Sequence, residues 1–148
     1  MARAVAHFLE KYQYCLLRIS IGILFIWFGA LKFFPGVSPA EGLAFQTVNT
    51  LTFNLIPDAW IIPALAIMEV SIGLLLVFSS KLQLSFWLLL FHMACTIMPL
   101  FILREITFNN FPFQLTIEGQ YIVKNVVIIA AAFVLLFNQK SNRYQNKS

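Results

Sequence analysis

Four apolar runs, each about twenty residues long, restrict this chain to a small set of architectures. They lie at 14–34, 60–80, 82–103 and 119–137, and polar or proline-containing segments separate them. A helix of about twenty apolar residues crosses the hydrocarbon core of a bilayer, and backbone groups in lipid must be paired within the segment itself. The sequence therefore predicts an all-α fold, a four-transmembrane-helix bundle that forms a single integral membrane domain over residues 1–148.

The charge of the chain supports this class and excludes others. Charged residues make up 11% of the sequence and hydrophobic residues 60%, whereas soluble domains carry about a quarter charged residues. The net charge of +4 comes from basic residues at the segment ends, and no dense basic patch is present for a nucleic acid. The expected partner is the lipid bilayer.

The distribution of basic residues predicts the orientation of the bundle. Most of them fall at the termini and at the Lys81 turn, whereas Lys32, Arg104 and Lys124 fall on the opposite side. By the positive-inside rule, both termini are predicted to be cytoplasmic. The first loop is then exoplasmic, and its Ser38-Pro39-Ala40-Glu41 segment matches a helix capping box with Pro at the first helical position. A helix over about 39–51 should follow, and it is polar enough to lie on the membrane surface.

The first span carries a stripe of residues at spacings of four, three, four and three: Arg18, Gly22, Phe25, Gly29 and Lys32. Such spacing places them on one helix face, and the glycines allow another helix to approach closely. The very short turn Ser79-Ser80-Lys81 makes the second and third spans antiparallel neighbours. Between the third and fourth spans, Asn109-Asn110 lies between two alternating apolar segments and predicts a short hairpin.

Two ionisable residues lie near the middle of adjacent spans. Glu69 is about nine residues into the second span, and His92 lies near the middle of the third. A carboxyl group in hydrocarbon must be protonated, paired or facing a cavity. We therefore expect a hydrogen-bonded Glu69–His92 pair, and the alternative is a packed histidine that a backbone carbonyl satisfies.

The polar start of the fourth span completes a set of candidate site residues. Glu118 to Asn125 brings charge and amides into an apolar run, and two pairs there share a helix face at i, i+4 spacing. The candidate ligand-binding residues are Lys32, Glu41, Glu69, His92, Glu118, Gln120, Lys124 and Asn125. They could form a network that locks the helices, or an outward-facing polar pocket for a quinone or small solute. Because buried networks often serve packing alone, the residues by themselves favour the lock. For Glu41, a capping role and a site role are both open.

The chain lacks the motifs of autonomous catalysis. No nucleophile triad, nucleotide-binding loop or paired-carboxylate motif is present, and no second membrane histidine stands opposite His92 to ligate haem. We therefore assign no catalytic residues and no metal ligands, and expect no autonomous catalysis. Cys15 and Cys95 have no CxxC spacing and lie at different depths, so we expect them to be small buried residues without a disulfide.

Several motifs of this chain resemble those of the YkgB branch of the DoxX-like membrane protein superfamily. The motifs that carry the likeness are Arg18-Ile19-Ser20-Ile21-Gly22, Trp27-Phe28-Gly29-Ala30-Leu31-Lys32-Phe33, Ser38-Pro39-Ala40-Glu41-Gly42, Leu65-Ala66-Ile67-Met68-Glu69 and Leu115-Thr116-Ile117-Glu118-Gly119-Gln120-Tyr121-Ile122-Val123-Lys124-Asn125. The branch includes a reactive-chlorine-resistance membrane protein, and the wider group is linked to thiosulfate:quinone oxidoreductase subunits and oxidative-stress complexes. The resemblance implies a multi-pass protein of the bacterial cytoplasmic (inner) membrane with four helices.

Three hypotheses follow for the function. The first is a redox or oxidative-stress accessory protein whose outward pocket binds a quinone or small solute, with a quinone as the only cofactor suggested. The second is a small proton-coupled transporter, and the third is a structural or assembly partner of another membrane protein or of a second copy. Motif residues that the resemblance carries over as site positions without assigned roles are Lys32, Glu41, Glu69, Glu118, Gln120, Lys124 and Asn125.

Overall fold

The structure is a computed structural model that describes residues 2–38, 41–79 and 82–145. Its helices and strands, in chain order, are α1 Ala2–Leu31, α2 Glu41–Leu51, α3 Asp58–Phe78, α4 Leu82–Ile97, α5 Pro99–Ile102, α6 Arg104–Thr107, β1 Phe108–Asn110, β2 Gln114–Leu115, α7 Ile117–Val123 and α8 Asn125–Gln145. Helices dominate the described chain, as the all-α prediction requires.

Four segments are long and apolar enough to cross a membrane: Glu10–Leu31, Asp58–Phe78, Gln83–Ile102 and Ile117–Phe137. Each corresponds to one predicted span, which confirms four membrane-spanning helices by length and composition. They indicate a multi-pass membrane protein. The cytoplasmic placement of the termini and the exoplasmic placement of α2 stay predictions, and the turn residues Ser80 and Lys81 lie outside the described residues.

The polar ends of the chain differ from the sequence prediction. The predicted spans begin at residue 14 and end at residue 137, but α1 begins at Ala2 and α8 continues to Gln145, so the polar segments 2–13 and 138–145 are helical. Neither segment contains a Pro or Gly that would stop a helix. At its other end α1 stops at Leu31, before the predicted residue 34, and turns follow as far as Ser38. Gly36 takes a φ of +75° there, which a glycine adopts without steric cost.

Local chemistry also explains the ends of the third and fourth spans. Met98 interrupts the third span, and α5 begins at Pro99, whose missing N–H breaks the helical hydrogen-bond ladder. The fourth span begins at Ile117 because the Thr116 hydroxyl caps it and accepts the Gly119 N–H at 3.1 Å. The same hydroxyl donates to the Ile106 carbonyl at 2.7 Å, so the cap also ties α7 to α6.

Close packing of α1 against α3 is the most extensive helix contact in the described fold. A Cβ added to Gly73 would lie 2.6 Å from the Gly22 carbonyl oxygen and 2.7 Å from Ile26 Cγ1. The two backbones therefore touch where both helices carry glycine, which confirms the close approach predicted from the α1 stripe. Around this contact, α3 also packs on α4, and α8 packs on α4 and α1. The core between them contains Phe25, Ile72, Leu76, Phe86, Leu89, Met93, Ala132 and Leu135.

One end of the bundle, the α2 end, holds α2, α5, α6 and the β1–β2 hairpin. The strands pair antiparallel with Phe108 opposite Leu115 and Asn110 opposite Gln114, which confirms the predicted hairpin. Helix α2 packs against α3 and α5 and buries Leu43 and Thr47. Of its predicted capping segment, Pro39 and Ala40 lie outside the described residues. The apolar face of α2 is thus used within the protein and covers that end of the bundle.

The glycine contact gives a matched pair of stability variants. Gly73→Ala places a methyl group against the Gly22 backbone, so the helices must separate, and overpacking of this kind typically costs about 1–3 kcal/mol. Gly42→Ala is the control, because a Cβ there meets nothing within 4 Å. We expect the free energy of unfolding in detergent micelles, followed by circular dichroism, to fall for Gly73→Ala alone. Equal stability of the two variants would contradict this account of the α1–α3 contact.

Candidate functional site

Glu69 lies at the centre of a charged triad inside the bundle. Its Oε2 atom accepts a hydrogen bond from Lys32 Nζ at 2.7 Å, and its Oε1 atom lies 3.2 Å from His92 Nε2. The three side chains are buried, with 10%, 10% and 4% exposure for Glu69, Lys32 and His92. The structure therefore confirms the predicted Glu69–His92 pair and adds Lys32 as the second partner of the same carboxylate.

The glycines on one face of α1 allow Lys32 to approach Glu69. A Cβ on Gly29 would lie 2.9 Å from Glu69 Cβ and 2.9 Å from the Val70 backbone nitrogen. Because Gly29 has no side chain, α1 lies directly against the turn of α3 that carries Glu69. Lys32 is the first residue after α1, three positions beyond Gly29, so its side chain reaches the carboxylate. On the other side, the His92 ring meets the Phe25 ring edge-on, with 5.5 Å between centroids.

The hydrogen-bond partners assign the roles of the His92 nitrogens. Since a carboxylate accepts hydrogen bonds, Nε2 carries the hydrogen that points to Glu69. Lys32 already balances the charge of Glu69, so a neutral imidazole satisfies the triad. The Nδ1 atom then has a free lone pair, and it is buried with no hydrogen-bond partner among the described residues. A buried polar atom without a partner costs about 1–3 kcal/mol.

The triad borders a cavity of about 540 Å³. The cavity lies between α1, α2, α3, α4 and the α7–α8 span, and α2 contributes its wall at the α2 end of the bundle. Most of its wall is apolar, and representative wall residues are Leu24, Phe28, Leu43, Val48, Met93 and Ile128. The charged triad is therefore a polar spot on the wall of a largely apolar chamber.

Six of the eight sequence-predicted site residues line this cavity: Lys32, Glu69, His92, Glu118, Lys124 and Asn125. Glu41 is not among the lining residues, and its Oε2 atom accepts the Gly36 N–H at 3.0 Å. That bond holds the turn before α2. It comes from Gly36 and not from the N–H of the predicted cap residue Ser38, so Glu41 has a structural contact that differs from the predicted capping box. Gln120 is exposed and is also absent from the lining.

Helix phase explains the correction at Gln120. The cavity-facing stripe of the fourth span contains Glu118, Tyr121, Ile122, Asn125 and Ile128, which follow i, i+3, i+4 spacing. Gln120 falls outside this stripe, although it shares an i, i+4 relation with Lys124. Lys124 also lines the cavity, and it lies at the junction between α7 and α8. Regular helical hydrogen bonding is interrupted there, and the Val127 N–H donates to the Lys124 carbonyl at 3.1 Å.

Lys124 forms a bridge between the fourth span and α1. Its Nζ atom lies 3.2 Å from the Tyr121 ring centroid and 5.8 Å from the Phe28 ring centroid. An ammonium over aromatic faces is held by the ring quadrupoles, and the attraction grows when water is excluded. The contacts of the Lys124 ammonium are therefore aromatic.

Sequence reasoning missed the contribution of α2 to the site. Leu43, Thr47 and Val48 line the cavity, whereas the sequence predicts only a helix that lies on the membrane surface. Their helical spacing identifies an apolar face without showing what covers it. Cys95 also lines the cavity, whereas Cys15 is exposed, so the expectation that both are buried holds better for Cys95. Among the described residues no three His, Cys, Asp or Glu side chains come together as a metal site.

The triad gives a clear prediction for stability. Lys32→Met leaves the Glu69 carboxylate buried with His92 alone, and breaking a buried pair from one side typically costs about 3–5 kcal/mol. The double variant Lys32→Met, Glu69→Gln removes both charges and keeps an amide oxygen for His92 Nε2. We expect unfolding in detergent to show a large loss for the single variant and a recovery of most of it in the double variant. A single variant as stable as the double would show that Glu69 does not depend on Lys32.

Comparison with protein-family models, with curated proteins and with solved structures found no match to this chain. The likeness to DoxX-like proteins therefore stays an expectation from the sequence motifs. The feature that bears on function is therefore the site itself, a buried Lys32–Glu69–His92 triad in the wall of an apolar cavity.

Proposed function

We propose that this protein binds a small, largely apolar molecule with a polar head group, such as a quinone, and acts as a redox or oxidative-stress accessory protein. In this proposal it resides in the bacterial cytoplasmic membrane with the α2 end on the exoplasmic side. The observation that carries the proposal is the cavity of about 540 Å³ with a buried charged triad in its wall.

The size of the cavity favours a binding site over a purely structural network. Ligand pockets typically measure about 300–1,000 Å³ and combine apolar walls with a few convergent polar groups. Protein interiors are otherwise closely packed, with few voids larger than a water molecule. A network that only locks helices needs no chamber beside it, so the space next to Glu69 supports ligand binding.

The unused hydrogen-bonding capacity of the triad indicates the head group. The one hydrogen bond recorded for Lys32 among the described residues goes to Glu69, and an ammonium group has further N–H donors to offer a carbonyl oxygen. His92 Nδ1 has a lone pair without a partner, which suits a hydroxyl donor. A quinone carries carbonyl oxygens and its reduced form carries hydroxyls, so both states offer a matching group.

The accessory role depends on the resemblance in addition to the cavity. The motifs around Lys32, Glu69 and Glu118 resemble those of DoxX-like proteins, whose wider group is linked to quinone and oxidative-stress chemistry. Three of these motif residues meet at one cavity. Their meeting at one cavity supports a ligand that contacts all three residues. The redox chemistry would come from a partner membrane protein or from a second copy of the chain.

A cavity-filling substitution tests ligand binding. Ala44 lines the cavity from α2, so Ala44→Phe should occupy part of the chamber, whereas Gln46→Phe adds the same ring to the exposed face of the same helix. The probe is a fully substituted benzoquinone with a ten-carbon tail, and its binding to purified protein in nanodiscs is measured by calorimetry. We expect Ala44→Phe to weaken affinity about tenfold or more, which corresponds to ~1.4 kcal/mol, and Gln46→Phe to leave it unchanged.

The same variants examine the cellular role. Cells that depend on the protein for survival of hypochlorite should lose protection with Ala44→Phe, Lys124→Ala or Glu118→Ala and keep it with Gln46→Phe, at equal protein levels. No saturable binding of the quinone by the unmodified protein would refute the ligand class. Full protection by all three cavity variants would refute the accessory role of the cavity.

A second candidate, a small proton-coupled transporter, is favoured by one observation. Glu69 and His92 lie 3.2 Å apart in two adjacent spans, and ionisable pairs within membranes often act as proton relays. A transporter would show net uptake of a solute into proteoliposomes that depends on Glu69, whereas a binding protein would show binding without uptake.

A further inference from the structure

Four of the described residues in the cavity wall are exposed, namely Leu24 of α1, Leu51 of α2, and Lys124 and Val127 of the fourth span. Leu24 of α1 is 43% exposed and Val127 of α8 is 71% exposed, and both line the cavity. They lie within the candidate spans Glu10–Leu31 and Ile117–Phe137. Since a membrane would surround the bundle at this level, these side chains face both the cavity and lipid.

The register between α1 and α8 places the two residues at the same level. Lys124 contacts the Phe28 ring across these two helices. Leu24 lies one turn before Phe28, and Val127 lies almost one turn after Lys124, while the two spans run in opposite directions. Leu24 and Val127 therefore lie at the same level of α1 and α8, on the side of the Phe28–Lys124 contact away from the α2 end.

This level lies well inside the span. Leu24 precedes the end of α1 at Leu31 by seven residues, which corresponds to roughly 10 Å along the helix axis. A hydrocarbon core of about 30 Å would cover this level. The exposed wall residues Leu24 and Val127 thus lie at a level that hydrocarbon would surround.

From this arrangement we infer that the cavity opens sideways into the bilayer between α1 and α8, and that its ligand is an electrically neutral amphiphile taken from the membrane. The inference rests on the proposed function and specifies its ligand class. A charged molecule would meet a large energetic cost in hydrocarbon. Within the cavity, Lys32 and Glu69 balance each other, so the triad does not require a counter-ion.

The polar and apolar parts of the cavity then define how the ligand lies. The head group reaches the Lys32–Glu69–His92 triad, and the apolar tail extends toward Leu24 and Val127. Lys124 stands above the opening with its ammonium on Tyr121 and near Phe28. In this arrangement Lys124 lies on the α2-end side of the proposed opening.

Cys95 provides a native probe of access because its side chain lines the cavity. Replacement of the exposed Cys15 by Ser leaves Cys95 as the single thiol. In liposomes, we expect a bilayer-dissolved alkyl maleimide to modify Cys95 about tenfold faster than a charged, membrane-impermeant maleimide added to the water phase, because charged reagents are excluded from hydrocarbon. The same single-thiol variant denatured in sodium dodecyl sulfate verifies that both reagents are active, because Cys95 is then accessible to each.

Tryptophan substitutions locate the opening. Val127→Trp and Leu24→Trp should slow alkyl maleimide labelling of Cys95 about fivefold by obstructing the opening. Their neighbours Val126→Trp and Ile23→Trp are the matched controls, because both positions are exposed at 56% and 55% without lining the cavity. Circular dichroism and size-exclusion chromatography establish that each variant is folded.

Several results would overturn the inference: faster labelling by the charged maleimide, no labelling by the alkyl maleimide, or equal effects of the paired Trp substitutions. These outcomes are separable from failure of the proposed function. Labelling that the Trp substitutions slow, without quinone binding, would keep the lateral opening and refute the ligand. Saturable quinone binding with labelling from water would keep the ligand and refute the lateral opening.

Discussion

The carboxylate of Glu69 is the group on which the arrangement of three helices depends. It lies inside a span, and both of its oxygens have a partner, Lys32 from the end of α1 and His92 from α4. An isolated carboxylate in a low-dielectric interior carries a large desolvation cost, which only close partners offset. Because Gly29 and Gly73 bring α1 against α3, the ammonium of Lys32 comes close enough to provide this compensation. Helix packing and charge pairing are therefore two parts of one constraint.

Stability alone does not explain why such a triad is present. Buried ion pairs are often replaced by apolar residues without loss of stability, because the desolvation cost is removed together with the attraction. A network that served only rigidity would also be expected to satisfy all of its members, yet His92 Nδ1 has no partner among the described residues. The cavity next to the His92 ring explains the unpaired nitrogen, because a bound molecule can form hydrogen bonds with polar groups that the protein leaves unpaired.

Part of this site could be predicted from the sequence, and helix geometry explains which part. Glu69 and His92 lie near the middle of two spans that a very short turn connects, so the sequence alone places them at similar depth in adjacent helices. Their pairing could therefore be predicted. The position of Gln120 could not be predicted in the same way. The pairs 120/124 and 121/125 have the same spacing, so periodicity alone does not show which of the two helix faces lines the cavity. The position of α2 depends on turns that end at Ser38, with Gly36 at positive φ. Long-range packing of that kind leaves no periodic signal in the sequence.

A binding site in a membrane needs polar groups that recognise the ligand and an apolar path by which the ligand enters. In this fold the two lie in different places. Polar recognition lies at the triad, which is buried between α1, α3 and α4 and shielded from lipid. The apolar opening lies between α1 and α8, a helix that contributes no member of the triad. Since α1 and α8 pack together less extensively than α1 and α3, an opening between α1 and α8 would leave the Lys32–Glu69 contact between α1 and α3 in place. An amphiphile could therefore exchange with the bilayer while the charges that hold the bundle together stay paired.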